Sequence, residues 1–388
     1  MPILLPEVMT RFKCNEKGCC CRGWDIPFSP DEVGTLLAPF TPETREEVLE
    51  GAAIKLGEGE RIEEIYLRQV GAAKACQFLE VDGRCEVHRL IGPQVLPHLC
   101  VAFPAFAQKK TQHTELHFDA MCPEVLARLD EGDGPLELVE VSPPAEHHLS
   151  LRARKTFSLH PILLGERTIT EDQLSLLRGK ILTMLGEEGR GDVLTRLAAL
   201  HYGLAEVAQG LAPEDFTLHW ERDPEDFLRY FETCLSIHQD HFLAWIFRDY
   251  RRFVFDINFD SHDFGKLYHH LGPVGDWRER LVPSSPNLEP LLLRWLTHRV
   301  FSAFDRSPVV NEMSLSYGTI THCLATAFRL TLGLSSWLNR PVDRTLLKTG
   351  LGGAEFIFRT CRVPISSMPW WTVGGQVDGL VIQARRKE

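Results

Sequence analysis

A mostly α protein is expected from this chain, with a cysteine-rich, irregular N-terminal region packed on a larger helical region. Two observations predict it. Apolar residues recur at helical spacing through most of the chain beyond residue 148, while eight of the eleven cysteines fall before residue 123. Between the two lies "LDEGDGPLELVEVSPPAEHH", residues 129–148, whose acid, Pro and Gly content is that of a connector. The expected organisation is therefore a cysteine-cluster region over 1–130 and a helical region over 148–388 that binds a substrate or partner.

The 388 residues are 44% hydrophobic and 24% charged, enough apolar side chain for a full core. "MPILLPEVMTRFKC" has neither a basic start nor a sustained apolar run, so no secretory signal is expected and a cytoplasmic protein is. "ITHCLATAFRLTLGLSSWL" is apolar, but His322 and Arg329 interrupt it, which favours a buried helix over a membrane span. A net charge of −11 without a basic stripe argues against nucleic acid.

Element by element, the first signal is "FKCNEKGCCCRGW", which places Cys14, Cys19, Cys20 and Cys21 within eight positions. Three adjacent side chains cannot all enter a core, so ordinary packing is a poor account of them. "CQFLEVDGRCEVHRLIGPQVLPHLC" follows with Cys76, Cys85 and Cys100, where Asp82-Gly83 supplies a turn that folds Cys85 back toward Cys76. "FDAMCPEVLARL" carries Cys122 just before a proline at a helix start, where partial positive charge favours thiolate. Beyond the connector, Thr170 with Gln173 forms a capping box for a helix carrying Leu174, Leu177, Ile181 and Leu185 and ending at Gly186. Asp192 begins another. Further helices are expected in "EDFLRYFETCLSIHQDHFLAWIFRDYRRFVFDI", "LEPLLLRWLTHRVFSAF" and the 320s and 330s. "TGLGGAEF" (349–356) reads as a turn, and "EFIFRTCRVPI" and "GLVIQARR" as short strands or extended loops.

In a reducing cytosol a dense cysteine cluster is more often metal-binding or catalytic than disulfide-bonded. The first region thus reads as a metal-binding region, with Cys14, Cys19, Cys20, Cys21, Cys76, Cys85, Cys100 and Cys122 as candidate ligands. Thiolate donors suit zinc or iron–sulfur, and the spacing does not choose between them. Cys234, Cys323 and Cys361 are scattered and read as core residues. His88, His98, His113 and His117 lie among the cysteines and could ligate or orient a ligand.

Taken together, Phe12 and Cys14 with Cys20-Cys21 and Gly23-Trp24, then Cys76, Phe78, Leu79, Cys85 and His88 with Cys100 and Phe103-Pro104, then Cys122-Pro123-Glu124 form three ordered blocks. In that order they resemble the flagellin lysine-N-methylase family, itself similar to the broader cysteine-cluster family of zinc- or iron-chelating proteins. The resemblance covers about a third of the chain. It implies transfer of a methyl group from S-adenosylmethionine to a lysine amine of a protein substrate, with an iron–sulfur cluster, of the 4Fe-4S type, and zinc as the alternative. Methylating an amine requires a neutral nucleophile and hence a proton acceptor. Glu124 and His88 are the catalytic candidates. The alternative is a non-catalytic metal-binding module for electron transfer, sensing or scaffolding.

Overall fold

The computed structural model describes residues 2–14, 18, 21, 26–70, 75–110, 112–142, 162–164, 167–187, 190–237, 270, 277–281, 285–303 and 313–360. The first part of the chain forms β1 (Ile3–Pro6), β2 (Pro27–Phe28), α1 (Pro30–Leu37), α2 (Pro42–Leu49), β3 (Ala53–Leu56), β4 (Ile62–Tyr66), β5 (Gln69–Val70), β6 (Ala75–Cys76), α3 (Glu86–Leu90) and α4 (His98–Ala102). It continues through β7 (Ala105–Lys109), β8 (Thr114–Phe118), α5 (Pro123–Leu129) and β9 (Leu138–Val141). A short hairpin, β10 (Ile162–Leu164) and β11 (Arg167–Ile169), leads into α6 (Glu171–Leu185), α7 (Val193–Ala208), α8 (Glu225–Ile237), α9 (Trp277–Leu281), α10 (Ser285–Ala303), α11 (Met313–Leu338) and α12 (Arg344–Thr360).

Among the described residues helix dominates, as expected. The cysteine-rich region, however, is not irregular: it carries two sheets, a small hairpin and five helices. Its strands have two to five residues, too few for an alternating pattern to stand out among so many Cys, Gly and Pro. Pairing across the chain, invisible to local pattern, holds them.

The larger sheet has the order β7-β8-β1-β9, with β1 parallel to β8 (Ile3↔Thr114) and antiparallel to β9 (Ile3↔Val141). Residues 138–141 of the expected connector are thus a strand of this sheet. On β8, successive side chains face opposite ways, and both faces are buried. Leu116 and Phe118 point to one side, where the Phe12 ring lies tilted against Phe118 with centroids 5.4 Å apart. Glu115 and His117, each 0% exposed, point to the other, against α6 and α10. One core runs without a break from Ile3 and Leu5 through α5 to all the long helices. A second, smaller core lies under the sheet β2-β4-β3 and contains Phe28, Val33, Leu36, Leu37, Val48, Ile65, Leu67, Phe78 and Val87.

The helical expectations hold where they can be seen. Thr170 and Gln173 form both bonds of a capping box at α6, which stops at Gly186, and Asp192 caps α7. The apolar α11 buries His322 and Arg329, at 2% and 1% exposure, inside the protein, where Arg329 donates to the Leu235 carbonyl. Among the described residues no helix is long and apolar enough to cross a membrane. Residues 238–257, the later part of "EDFLRYFETCLSIHQDHFLAWIFRDYRRFVFDI", and everything after 360 lie outside the described residues.

The glycine-rich "TGLGGAEF" is not a turn but part of α12. Gly350 lets α12 press against α11: a Cβ there would stand 2.2 Å from Thr331 Oγ1 and 2.5 Å from the Ala327 carbonyl oxygen. Gly179, on the exposed face of α6, has nothing within 4 Å of its missing Cβ. The same substitution should therefore have opposite signs at the two sites. Gly350→Ala is expected to cost about 1–3 kcal/mol through overpacking, whereas Gly179→Ala is expected to gain up to about 1 kcal/mol through helix propensity. Urea unfolding of the two variants checks both signs.

His201 on α7 is 8% exposed, with the rings of Tyr202, Phe227 and Tyr230 around it. Burial pushes its pKa down from 6.5 to about 4. The unfolded chain therefore binds a proton here that the folded protein refuses, so stability is full above pH 6.5 and falls as pH drops toward 4. His201→Phe is expected to remove up to about 3 kcal/mol of that acid-side loss, read as a flatter dependence of the urea midpoint on pH.

Candidate metal centre

The second core is built so that separate segments deliver sulfur to one place. Cys76 ends β6, and the chain then turns through Asp82-Gly83, with Gly83 at φ 88° and the Glu80 N–H donating to the Arg84 carbonyl at 2.8 Å. The turn residues predicted that Cys85 folds back toward Cys76; the structure pairs Cys85 with Leu79, three residues after Cys76, in a β-bridge. Gly18 reaches the same hairpin: a Cβ on it would stand 2.4 Å from Leu79 Cδ1 and 2.5 Å from the Gly83 carbonyl oxygen. Cys21 follows, its N–H donating to the Gly18 carbonyl at 3.0 Å. Cys100 arrives on α4, whose first residue, His98, donates its N–H to Glu32 Oε1 at 2.9 Å. The other oxygen of Glu32 closes the capping box of α1 with Ser29. Burial pushes the Glu32 carboxyl up, but the N–H groups of Ser29 and His98 outweigh it and hold it below the ordinary value.

Cys76, Cys85 and Cys100 all pack on the second core and are half-buried, as Cys21 is. Desolvation is the largest influence on the three that line the core: it pushes the Cys76 thiol up to about 12, and raises Cys85 and Cys100 as well. Cys21 adds a repulsion to each of the three, and Cys76 and Cys85 each add one to Cys100. Two backbone features oppose this. The Phe78 N–H faces the Cys76 sulfur, and the Val87 and His88 N–H groups face the Cys85 sulfur. The raised values of Cys76, Cys85 and Cys100 favour their neutral thiols at pH 7; a soft cation would displace their protons, and the N–H groups are set to support the resulting thiolates.

As placed, these four sulfurs are neighbours rather than a closed ligand shell, and among the described residues no group of three or more His, Cys, Asp or Glu is arranged to hold a metal ion. Cys19 and Cys20, beside Cys21 in the chain, lie outside the described residues, as do Trp24, Cys361 and Trp370-Trp371. Cys14 is exposed. Cys122 is buried in the main core, at the cap of α5, rather than on the second core with the other three. Cys234 and Cys323 are buried among the helices, with Cys234 Sγ 3.6 Å from His322 Nε2.

The catalytic candidates fall in different places. His88 is exposed on α3, and its N–H is one of those facing Cys85. Glu124 sits in the first turn of α5, where its Oε1 accepts from Arg128 Nη2 at 2.9 Å. His113 and His117 are turned to Glu115, at 3.3 and 3.2 Å, on the larger sheet. Sequence reading missed the partner of that carboxylate. Arg178, 63 residues away on α6, meets Glu115 with both guanidinium nitrogens and donates to the Phe301 carbonyl at 3.4 Å. No local signal pairs two residues so far apart. Glu32 was missed too, although Ser29-x-x-Glu32 before an apolar run is a readable capping signature.

A protein named lysine-N-methylase from Salmonella typhimurium is 28% identical to this chain over 127 residues, which are 32% of the chain and 31% of the relative. The lysine-N-methylase of Salmonella choleraesuis is 27% identical over the same length. A flagellar biosynthetic protein, FliU, of Salmonella muenchen is 26% identical over 162 residues, 41% of this chain and 86% of its own. The chain is thus distantly similar to lysine-N-methylases over about a third of its length, and spans about a third of theirs. No protein-family model matches the chain, and no solved structure matches it.

Proposed function

We propose that this protein transfers a methyl group from S-adenosylmethionine to a lysine amine of a protein substrate, and that its cysteine cluster holds a thiolate-ligated metal centre. The observation that carries the reading is the combination of distant similarity to lysine-N-methylases with separate segments bringing Cys76, Cys85 and Cys100 onto one core within electrostatic reach of Cys21. Soft sulfur donors fit an iron–sulfur cluster or zinc and exclude hard cations. Cys21, Cys76, Cys85 and Cys100 would hold the group, with Cys14, Cys19, Cys20 and Cys122 as further candidates from the sequence. When bound, such a group supplies local positive charge and order to the segments it joins.

The chain's own part in the reaction is to take a proton from the lysine ammonium and to hold the neutral amine in line with the methyl donor. In this reading His88 is the acceptor, because it is exposed and only its N–H is turned to Cys85, while Glu124 is already engaged by Arg128. His88→Gln is expected to lower methyl transfer by about 100-fold or more without changing bound metal.

Anaerobic purification followed by metal and acid-labile sulfide analysis, together with transfer of labelled methyl from S-adenosylmethionine to lysine peptides, tests the reading. Iron with sulfide and labelled lysine support it. Metal without any binding of S-adenosylmethionine would replace it with the non-catalytic module.

A further inference from the structure

We propose that the outer edge of β3 docks an extended, lysine-rich segment of the protein substrate by strand addition; the proposal rests on the lysine-methylase reading and names how that substrate is held. In the sheet β2-β4-β3, β3 is the end strand, and among the described residues no strand lies beyond it. All four of its residues are exposed. Its register with β4 pairs Ile54 with Ile65 and Leu56 with Ile62, the extra residue Glu63 bulging out of β4. Because side chains alternate along a strand, Ile54, Leu56, Ile62 and Ile65 share one face. That face starts inside the second core, where Ile65 packs beside Phe28, and runs out to the sheet edge through Ile54, Leu56 and Ile62, which are 56%, 56% and 45% exposed. An incoming strand would hydrogen-bond to the outer side of β3 and extend this shelf with every second side chain.

Charge identifies the occupant. From 43 to 64 the chain has eight glutamates and three basic residues. Lys55 is already held by Glu63 and Glu64, both at 3.3 Å. Two copies meeting edge to edge would bring these acidic stretches together, so self-pairing is opposed, whereas a segment carrying lysines is attracted. Alternation then divides the labour: apolar residues lie on the shelf, and lysines beyond it meet the acidic stretch that follows β3, Glu58 and Glu60.

The test uses the full-length protein and a fluorescein-labelled peptide of alternating Lys and Val, with a Glu-and-Val peptide as its counterpart, followed by anisotropy. The lysine peptide should bind, more weakly as salt rises, and the glutamate peptide should not. Ile54→Asp with Leu56→Asp should weaken binding by at least about tenfold. Glu58→Lys with Glu60→Lys, which leaves the shelf intact, should weaken it as well. Matching circular dichroism melts establish that both variants are folded. Equal affinity for the two peptides, affinity unchanged in both variants, or a dimer in sedimentation that the Ile54/Leu56 variant abolishes would each overturn the proposal. Failure of the methylase reading is read separately, as no methyl transfer from S-adenosylmethionine to the lysine peptide while anisotropy still reports its binding.

Discussion

Arg178→Met is expected to destabilise the protein by about 3–5 kcal/mol, because it leaves a carboxylate buried without its cation. Glu115 is 0% exposed, and the Arg178 side chain is 8% exposed. Burial pushes the Glu115 carboxyl up, but His117 and Arg178 outweigh it and hold it far below the ordinary value. The same pair ties β8 to α6, and Arg178 lies 5.7 Å over the Phe301 ring of α10, so three elements loosen together. Glu115→Gln alone is also expected to destabilise, and the double variant less than the sum of the two. Urea unfolding of the four proteins in a cycle measures the coupling; additive costs would show that the pair contributes packing rather than charge. In wild type the contribution of Glu115 is complete above its unfolded value of 4.5 and is lost below it, as acid forces a proton onto the carboxylate.

If the proposed thiolate-ligated centre and methyl transfer hold, Cys21→Ser and Cys100→Ser, separately, are expected to remove most of the metal and at least about 100-fold of the transfer. Cys234→Ala, in the helical core, should leave the metal in place. Protease sensitivity should rise between Cys76 and Cys100 in the two serine variants, since this stretch has only short elements over a small core and metal ligation would supply part of its order. Far-ultraviolet circular dichroism should change little, because the long helices share a different core. Metal content, limited proteolysis and labelled-methyl transfer on the same preparations check this. A folded, metal-free variant that still methylates lysine would limit the centre to a structural role.

Much of the helical half was legible because its signals are local. The Thr170–Gln173 box and the Leu174, Leu177, Ile181 spacing act within a single helix and need no distant partner. The turn at Asp82-Gly83 was legible for the same reason, and it accounts for Cys85 lying beside Leu79. Strands of two to five residues carry no such internal signal, which is why the sheets were read as irregular chain. Gly350 shows the limit in the other direction. A glycine marks a turn or a close approach with equal force in sequence, and only the position of Thr331 distinguishes the two.

The sequence by itself determined that thiols from several segments are available in one region and that, among the described residues, most of the remainder is helical. These depend on residue type and spacing along the chain. Only the tertiary structure decided that Cys122 belongs to the main core while Cys21, Cys76, Cys85 and Cys100 are neighbours, that Arg178 answers Glu115, and that Ile54 and Leu56 lie exposed on a sheet edge. Each of these turns on which distant segments share a core, and that is settled by burying apolar surface across the whole chain at once, a condition that no local stretch can express.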